Sequence, residues 1–493
     1  MNFNDVLSRC SFGARVAEEE SARLQEYFFE SEHWRKLYSG EVDVVYGAKG
    51  AGKSAIYSLL MTRADELKTR QVFLISAENP RGKPIFKNIK HDPPTSEQEF
   101  VGLWKLYFLT LCGAFIAEQG IQNLYAKRVR KFLVEENLAG SSKNLAELLT
   151  SVFRYVKTYL RRPESVETTI QVDPMTGQPS GVGGKIKFSE PNMNDRDTAS
   201  VDSLLESADA ALRSENKTLW ILLDRLDVAF LDSAEIEENA IRALFRCYLD
   251  QTALENISPK IFIRTDIWDR ISTSGFRESS HITRTSTIIW NRDSMMNLVI
   301  RRLLSNEAIL EYYDVVKSDI LSDIKSQFNL FYEIFPDQID SGENKSRTFD
   351  WMLSRTVDGT RQPSPREIIH LINASRDLEL KNQDLGISDI PVDSKNLFSR
   401  SAIRESLKEV SRVRLKQTLY SEFPSAKEYI KLLENENAAM SIQELMEIWG
   451  LELSEAKQIA ESLVEVGFFE IRGDKKQPRF WIPFVFRPAA KIS

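Results

Sequence analysis

The chain has 493 residues, 42% of them hydrophobic and 28% charged, with a net charge of −7. Its length exceeds what one hydrophobic core organises and predicts roughly two to four domains of ordinary globular composition. The acidic balance argues against nucleic-acid binding over the whole surface. Cys10, Cys112 and Cys247, odd in number and far apart, suggest neither a disulfide framework nor a metal set and fit a reducing cytoplasm.

The start, Met1-Asn2-Phe3-Asn4-Asp5, lacks the basic and apolar regions of a signal peptide, which agrees with a cytoplasmic expectation. Residues 1–35 are expected to form an N-terminal helical segment. Val42-Asp43-Val44-Val45-Tyr46 reads as a buried strand and Ala55-Ile56-Tyr57-Ser58-Leu59-Leu60 as a helix. Between them, Gly47-Ala48-Lys49-Gly50-Ala51-Gly52-Lys53-Ser54 matches G-x-x-x-x-G-K-[ST]. Strand, glycine-rich loop and helix let backbone N–H groups wrap phosphates at a helix N-terminus. Gly47 through Ala55 are therefore the expected cradle of a nucleoside triphosphate. Lys53 brings a mobile positive charge to the β- and γ-phosphates, and the Ser54 hydroxyl ligates Mg²⁺. ATP and Mg²⁺ are the expected cofactors.

Gln71 to Ala77 supplies another strand, and long amphipathic helices are expected over 100–115 and 145–160. The most apolar run, Leu106 to Ala117, is too short to span a bilayer and reads as a buried helix; no membrane role is expected. Ile170 to Phe188, with Asp173-Pro174-Met175-Thr176-Gly177 and a Gly181-Val182-Gly183-Gly184 run, reads as a β-hairpin with a mobile tip. Gly183-Gly184-Lys185 lacks the rest of a phosphate loop. These elements form an insertion, about residues 92–215, within a nucleotide domain over 36–290.

Leu219-Trp220-Ile221-Leu222-Leu223-Asp224 is an apolar strand ending in an acid, the pattern that holds Mg²⁺ through water beside a phosphate loop. Asp224 and Ser54 are thus the expected metal residues. Many ATPases follow this acid with a Glu that polarises the attacking water. Here the position is Arg225, and Asp227 is the nearest substitute base. Lys260 to Asp266 reads as the next strand, ending in Arg264, Thr265 and Asp266 as candidates to sense a γ-phosphate. Asn291 to Leu304, with Asp293 as N-cap, begins a helical lid over 291–400. In Gln362-Pro363-Ser364-Pro365-Arg366, a Pro-Arg pair opens an apolar helix. Several ATPase lids place there an arginine that swings onto the γ-phosphate on closure. Lys53, Asp224, Asp227 and Arg366 make up the expected catalytic set.

A helical linker over 401–425 precedes a winged helix over 426–493. Ala426 to Leu433 is its first helix. Ser441-Ile442-Gln443-Glu444 is a capping box opening a helix to Trp449, which Gly450 ends. Ser454 is expected to cap the next helix, through Val466, with Gly467 ending it. Phe468 to Ile471 and Arg479 to Phe486 alternate like a hairpin wing. The last helix carries Glu455, Glu461 and Glu465, which repel phosphate, whereas the wing carries Arg472, Lys475, Lys476 and Arg479. Packing against protein is the expectation, with DNA contact as the alternative.

The order of phosphate loop, acid-terminated strand, sensor strand, helical lid and winged helix resembles AAA+/STAND-type ATPases, among them origin-recognition-like initiators and nucleotide-switch signalling proteins. Phe12-Gly13-Ala14-Arg15-Val16-Ala17-Glu18-Glu19-Glu20 is similar to the Gly-Arg-x-x-Glu box that cradles adenine in such proteins, with Ala14 intervening. Over roughly residues 10–375 the chain looks like bacterial P-loop ATPases of mobile and phage-defence gene islands. The resemblance implies an α/β P-loop NTPase sheet flanked by helices, with a helical lid and a C-terminal winged helix. It implies an ATP-hydrolysing switch, homo-oligomeric, acting through a separate effector or partner protein. A DNA-loading or DNA-sensing ATPase and a non-hydrolysing ATP-bound scaffold are the alternatives.

Overall fold

The computed structural model describes residues 3–15, 19–20, 23–77, 97–139, 152, 163–172, 179–188, 200–226, 234–391, 393–474 and 477–492. The chain divides into two compact units. One is Lys36–Tyr46 with Leu60–Ser286, and the other is Met1–Arg35 with Gly47–Leu59 and Thr287–Ser493.

The first seven strands in chain order are β1 (Val44–Gly47), β2 (Val72–Ser76), β3 (Pro163–Val172), β4 (Pro179–Phe188), β5 (Thr218–Leu223), β6 (Ile257–Arg264) and β7 (Thr285–Ile288); β1 and β7 each run across a unit boundary. Five of them form a sheet in the order β2-β5-β6-β1-β7, with β2, β5 and β6 paired in parallel. Parallel neighbours require crossover connections, and the helix Ala234–Gln251 lies in the one between β5 and β6. Leu219 through Leu223 are all buried, as an apolar strand covered on both faces must be. β3 and β4 pair antiparallel, Val166 opposite Ile186 and Ile170 opposite Val182, which is the expected hairpin. Its tip, residues 173–178, and all of the helix expected over 145–160 except Val152 lie outside the described residues.

The helix Glu97–Glu118 corrects two expectations. With 22 residues it is, among the described residues, the helix long and apolar enough to cross a bilayer, so length alone excludes nothing. Nor is it amphipathic. Leu106 through Cys112 are buried without a break, which takes in every face of a helix. The helices Leu124–Glu135, Val201–Arg213 and Ala234–Gln251 all pack against it. Trp104 donates its indole N–H to the Ala240 carbonyl at 2.8 Å, and the Tyr107 hydroxyl donates to the Ala77 carbonyl at 3.1 Å. The helix is the core of this unit.

A second departure lies at β1, which begins at Val44 and not at Val42. Asp43, just before it, is buried, and its carboxylate takes Lys260 Nζ at 2.6 Å, Ser258 Oγ at 3.0 Å, Arg284 at 2.9 Å and the Tyr248 hydroxyl at 3.1 Å. Lys260 is fully buried, with its ammonium 4.3 Å from the centre of the Trp220 ring. Burial lowers its pKa despite the opposing pull of Asp43. β6 ends at Arg264, so Thr265 and Asp266 open the helix Thr265–Thr273 and do not continue the strand. Asp266 reaches back to grip Arg264 with both oxygens, at 3.0 and 2.6 Å.

In the other unit the helix Arg292–Leu303 is capped by Asn291, in reciprocal bonds with Ser294 at 2.8 and 2.9 Å. Asp293 stands inside the first turn and is not the cap. The rings of Phe331, Phe335 and Phe398 stack at 4.4 Å in the core beneath the lid helices. The winged helix comprises the helices Ala426–Leu432, Ile442–Trp449 and Leu453–Glu465 and the strands β8 (Ala439–Met440), β9 (Glu470–Arg472) and β10 (Arg479–Trp481), ordered β8-β10-β9. The Ser441–Glu444 capping box is formed, and Gly450 takes the left-handed C-cap conformation at φ +65°. Ser454 is not a cap: the last helix begins at Leu453, and Glu452 precedes it without a side-chain bond. β10 stops at Trp481, not Phe486, because Pro483 offers no ladder N–H and the chain turns into the helix Arg487–Ala490. β8 had no sequence signal; two residues are too short to show alternation.

Lid and winged helix meet closely. The Gly359 N–H donates to the Gly467 carbonyl at 2.7 Å, and a Cβ at Gly359 would stand 2.2 Å from the Phe469 carbonyl oxygen. Arg361 pairs with buried Glu470, and the Arg355 guanidinium lies 3.8 Å from the centre of the Phe484 ring. The architecture is the anticipated α/β one: a parallel sheet flanked by helices, a helical lid and a C-terminal winged helix.

Candidate functional site

The glycine-rich loop leaves β1 at Gly47 and ends where the helix Lys53–Thr62 begins. Gly50 and Gly52 hold φ of +79° and +102°, a region open to glycine at little cost. The Ala51 N–H bonds the Ala48 carbonyl at 3.1 Å, and the Ile56 N–H bonds the Gly52 carbonyl at 3.1 Å, which closes the first helical turn. The amides of Lys53, Ser54 and Ala55 belong to the first turn of this helix and point toward its N-terminal end. With the helix dipole they form a donor set suited to phosphate. Lys53 Nζ donates to the loop's own carbonyls, Gly47 at 2.8 Å and Ala48 at 3.1 Å.

Four residues gather on this loop. Trp290 donates its indole N–H to the Ala51 carbonyl at 2.8 Å. Ser364, the N-cap of the helix Pro365–Asp384, approaches the Gly50 carbonyl at 3.5 Å. A Cβ built on Gly50 would stand 3.3 Å from Arg366 Cβ, so the lid arginine begins beside the loop. Lys49 Nζ is ion-paired with Glu422, 373 positions on. Of these only Arg366 was singled out from sequence. Ser364 stands in the quoted Pro-Ser-Pro-Arg stretch and could have been found there. Trp290 and Glu422 carry no local signal.

Asp224 belongs to the other unit. It follows β5 directly and is 7% exposed, so a charged group is held where an apolar strand ends. Arg225 after it takes a left-handed φ of +56°, a conformation that costs a residue with a Cβ about 1 kcal/mol. Asp227 lies outside the described residues. No cluster of three or more His, Cys, Asp or Glu suited to a metal occurs among the described residues. Mg²⁺ on a nucleotide takes most of its ligands from phosphate and water, so it asks for few protein ligands.

The N-terminal box is closed on itself. Glu20 accepts from the Ala14 N–H and the Tyr27 hydroxyl, each at 2.6 Å, and pairs with Arg302 at 2.6 Å. Arg302 also donates to the Phe12 carbonyl at 2.7 Å, and Asn373 donates to the Gly13 carbonyl at 2.8 Å. The Glu20 and Arg302 side chains are 6% and 8% exposed. Glu20→Ala should therefore cost about 3 kcal/mol of stability, because it leaves a buried guanidinium unpaired. A urea titration checks this, and Glu20→Leu combined with Arg302→Leu should recover most of the loss.

The basic wing is partly engaged. Arg472 pairs with Glu470 and stacks 3.2 Å from the centre of the Trp481 ring, and Arg479 donates to the Ala439 carbonyl at 2.6 Å. Lys475 and Lys476 lie outside the described residues, while Glu455, Glu461 and Glu465 of the preceding helix are exposed.

No protein-family signature and no curated protein matches the chain. Among solved structures, it is similar to the Orc1 protein of Aeropyrum pernix in complex with DNA, at 12% identity and a TM-score of 0.36 over 99% of this chain and 95% of that one. It is similar to the Aeropyrum pernix ORC2 protein in ADPNP–ADP complexes, at 10% identity and a TM-score of 0.36 over 96% and 93%. The Cdc6p of Pyrobaculum aerophilum matches at 13% identity and a TM-score of 0.28 over 99% and 96%. Likenesses of this size assign neither a family nor an activity.

Proposed function

We propose that the chain is an ATP- and Mg²⁺-binding switch that hydrolyses ATP and converts nucleotide state into the position of its lid and winged helix. The observation that carries this reading is the loop itself. Left-handed Gly50 and Gly52, a helix N-terminus and Lys53 converge there, with lid residues Ser364 and Arg366 alongside. Such a cradle holds phosphates by backbone donors and leaves Lys53 and Arg366 to answer the γ-phosphate. Asp224 would share Mg²⁺ with Ser54, and Asp227 would serve as the base. When bound, the ion would supply charge neutralisation on the phosphoryl group, while Lys53 and Arg366 would hold that group in place.

The output is read as assembly or capture of a partner protein. Exposed Glu455, Glu461 and Glu465 favour a protein over a phosphate backbone. The family resemblance adds a setting, bacterial anti-phage defence, in which a homo-oligomer would act on a separate effector. Titration of the full chain with ATP and Mg²⁺ tests the core of the reading. Saturable binding that ADP competes and AMP does not is expected. No binding up to about 1 mM ATP, the upper range of ordinary substrate constants, would end it.

Arg366→Ala adds a finer check. It should weaken ATP about tenfold and leave ADP within about twofold, since a charged contact made only to the γ-phosphate is lost. Equal losses for both nucleotides would make Arg366 a structural residue of the lid.

A further inference from the structure

We propose that Glu422 is an autoinhibitory carboxylate that holds the phosphate loop through Lys49 and gives way when a nucleotide binds, so that the entry to the winged helix reports loop occupancy. The proposal rests on the nucleotide reading above and goes beyond it, naming the residue pair that links the loop to the C-terminal module.

Lys49 is a variable position of the loop motif, neither a required glycine nor the phosphate lysine. Its ammonium is paired with Glu422, and the two side chains are 24% and 29% exposed, so solvent screens the pair only in part. A polyphosphate arriving at the loop meets both members. Its charge competes with Glu422 for Lys49, and the Glu422 carboxylate repels it. Binding is strongest when Lys49 turns to phosphate and Glu422 withdraws.

The place from which Glu422 withdraws gives the movement its consequence. The helix Arg400–Val413 continues through a π-helical stretch, Arg414–Leu419, into Tyr420–Glu422. After three intervening residues the first helix of the winged helix begins at Ala426. A π-helical turn carries a looser hydrogen-bond ladder than an α-helix and is a common site of functional rearrangement. Its first residue, buried Arg414, pairs with Asp358 and with Glu367 at 3.3 Å. Glu367 follows Arg366 at the start of the lid helix, and Asp358 adjoins Gly359, which is bonded to the winged helix. The π segment is therefore anchored at its start to the lid and at its end to the phosphate loop. Releasing the Glu422 end frees one side of this connection.

Linkage makes the device two-way. If ATP and the latch exclude each other, anything that draws the winged helix away from the closed arrangement tightens ATP by the same factor by which ATP promotes that movement.

The test uses the full chain and its Glu422→Gln variant, with ATP and Mg²⁺ as the probe. Glu422→Gln should bind ATP about tenfold more tightly, the size of one charge removed from a partly solvated cleft. Hydrogen exchange supplies the second measurement. In the wild type, amides of residues 414–425 should exchange faster when ATP is added, and in Glu422→Gln they should exchange at the faster rate without ATP. A carboxylate that merely braced a helix end would give no ATP dependence. Unchanged ATP affinity in Glu422→Gln, with the wild type binding normally, overturns the latch and leaves the nucleotide reading standing. Absence of ATP binding in both proteins overturns that reading and the latch with it.

Discussion

Lys53→Ala should weaken ATP binding about 100-fold or more while the chain stays folded. The lysine opens the helix Lys53–Thr62, and its ammonium bonds the carbonyls of Gly47 and Ala48, at 2.8 and 3.1 Å. A side chain in that position fills no core; its ammonium donates to loop carbonyls and would exchange them for phosphate oxygens. Charge-assisted bonds of that kind are worth about 1.5–3 kcal/mol each, and two of them account for the expected loss. Alanine suits a helix start, so the thermal midpoint should move by only a few degrees. Paired measurements decide the matter: an equilibrium titration with a fluorescent ATP analogue and a melting curve on the same preparation. Equal affinity in the two proteins would remove the loop from the nucleotide site.

Asp224→Asn should do the reverse, sparing affinity and reducing turnover about 100- to 1,000-fold, the range seen when one group that stabilises developing charge is lost. Asparagine keeps the shape of a nearly buried side chain at the end of β5. It replaces an anionic oxygen with a neutral amide, so a bound Mg²⁺ would lose a partner while the loop would keep its amides. The diagnostic is Mg²⁺ dependence: half-maximal turnover in Asp224→Asn should need far more metal than in the wild type. Asp227→Asn, in contrast, should lose turnover with its Mg²⁺ requirement unchanged, as removal of a base would. If Asp224→Asn hydrolyses ATP at the wild-type rate, another acid holds the ion.

Local patterns in the chain were legible wherever one short segment determines its own geometry. The strand, loop and helix around Gly47–Ser54, the Ser441–Glu444 box and the Pro365 helix start all rest on interactions within a few residues. Boundaries slipped where a neighbour intervened: Asn291 captured the cap expected of Asp293, and Asp266 left its strand to hold Arg264. Contacts between distant segments were illegible. Nothing in the sequence pairs Asp43 with Lys260, Glu20 with Arg302, or Lys49 with Glu422, separated by 217, 282 and 373 positions. A charged residue in an apolar stretch, as Lys260 is, marks that a partner must exist, since a lone buried charge is too costly, but it does not say where. For the candidate site, the sequence marks the glycine-rich loop and the Pro365-Arg366 helix start, whereas Trp290 and Glu422, which meet that loop, were supplied by the fold.

Gly359 sets how force passes through the C-terminal half. With no room for even a methyl group against the Phe469 carbonyl, a backbone bond to Gly467 and the Arg361–Glu470 pair beside it, the lid and the winged helix are clasped where neither can slide past the other. A rotation of the lid would then be delivered to the winged helix undiminished, as by a rigid lever whose throw grows with distance from the clasp. Sub-ångström shifts at the lid would become larger displacements at the tip of the wing. A side chain at position 359 would have to push the Phe469 carbonyl aside, so it would loosen this joint first.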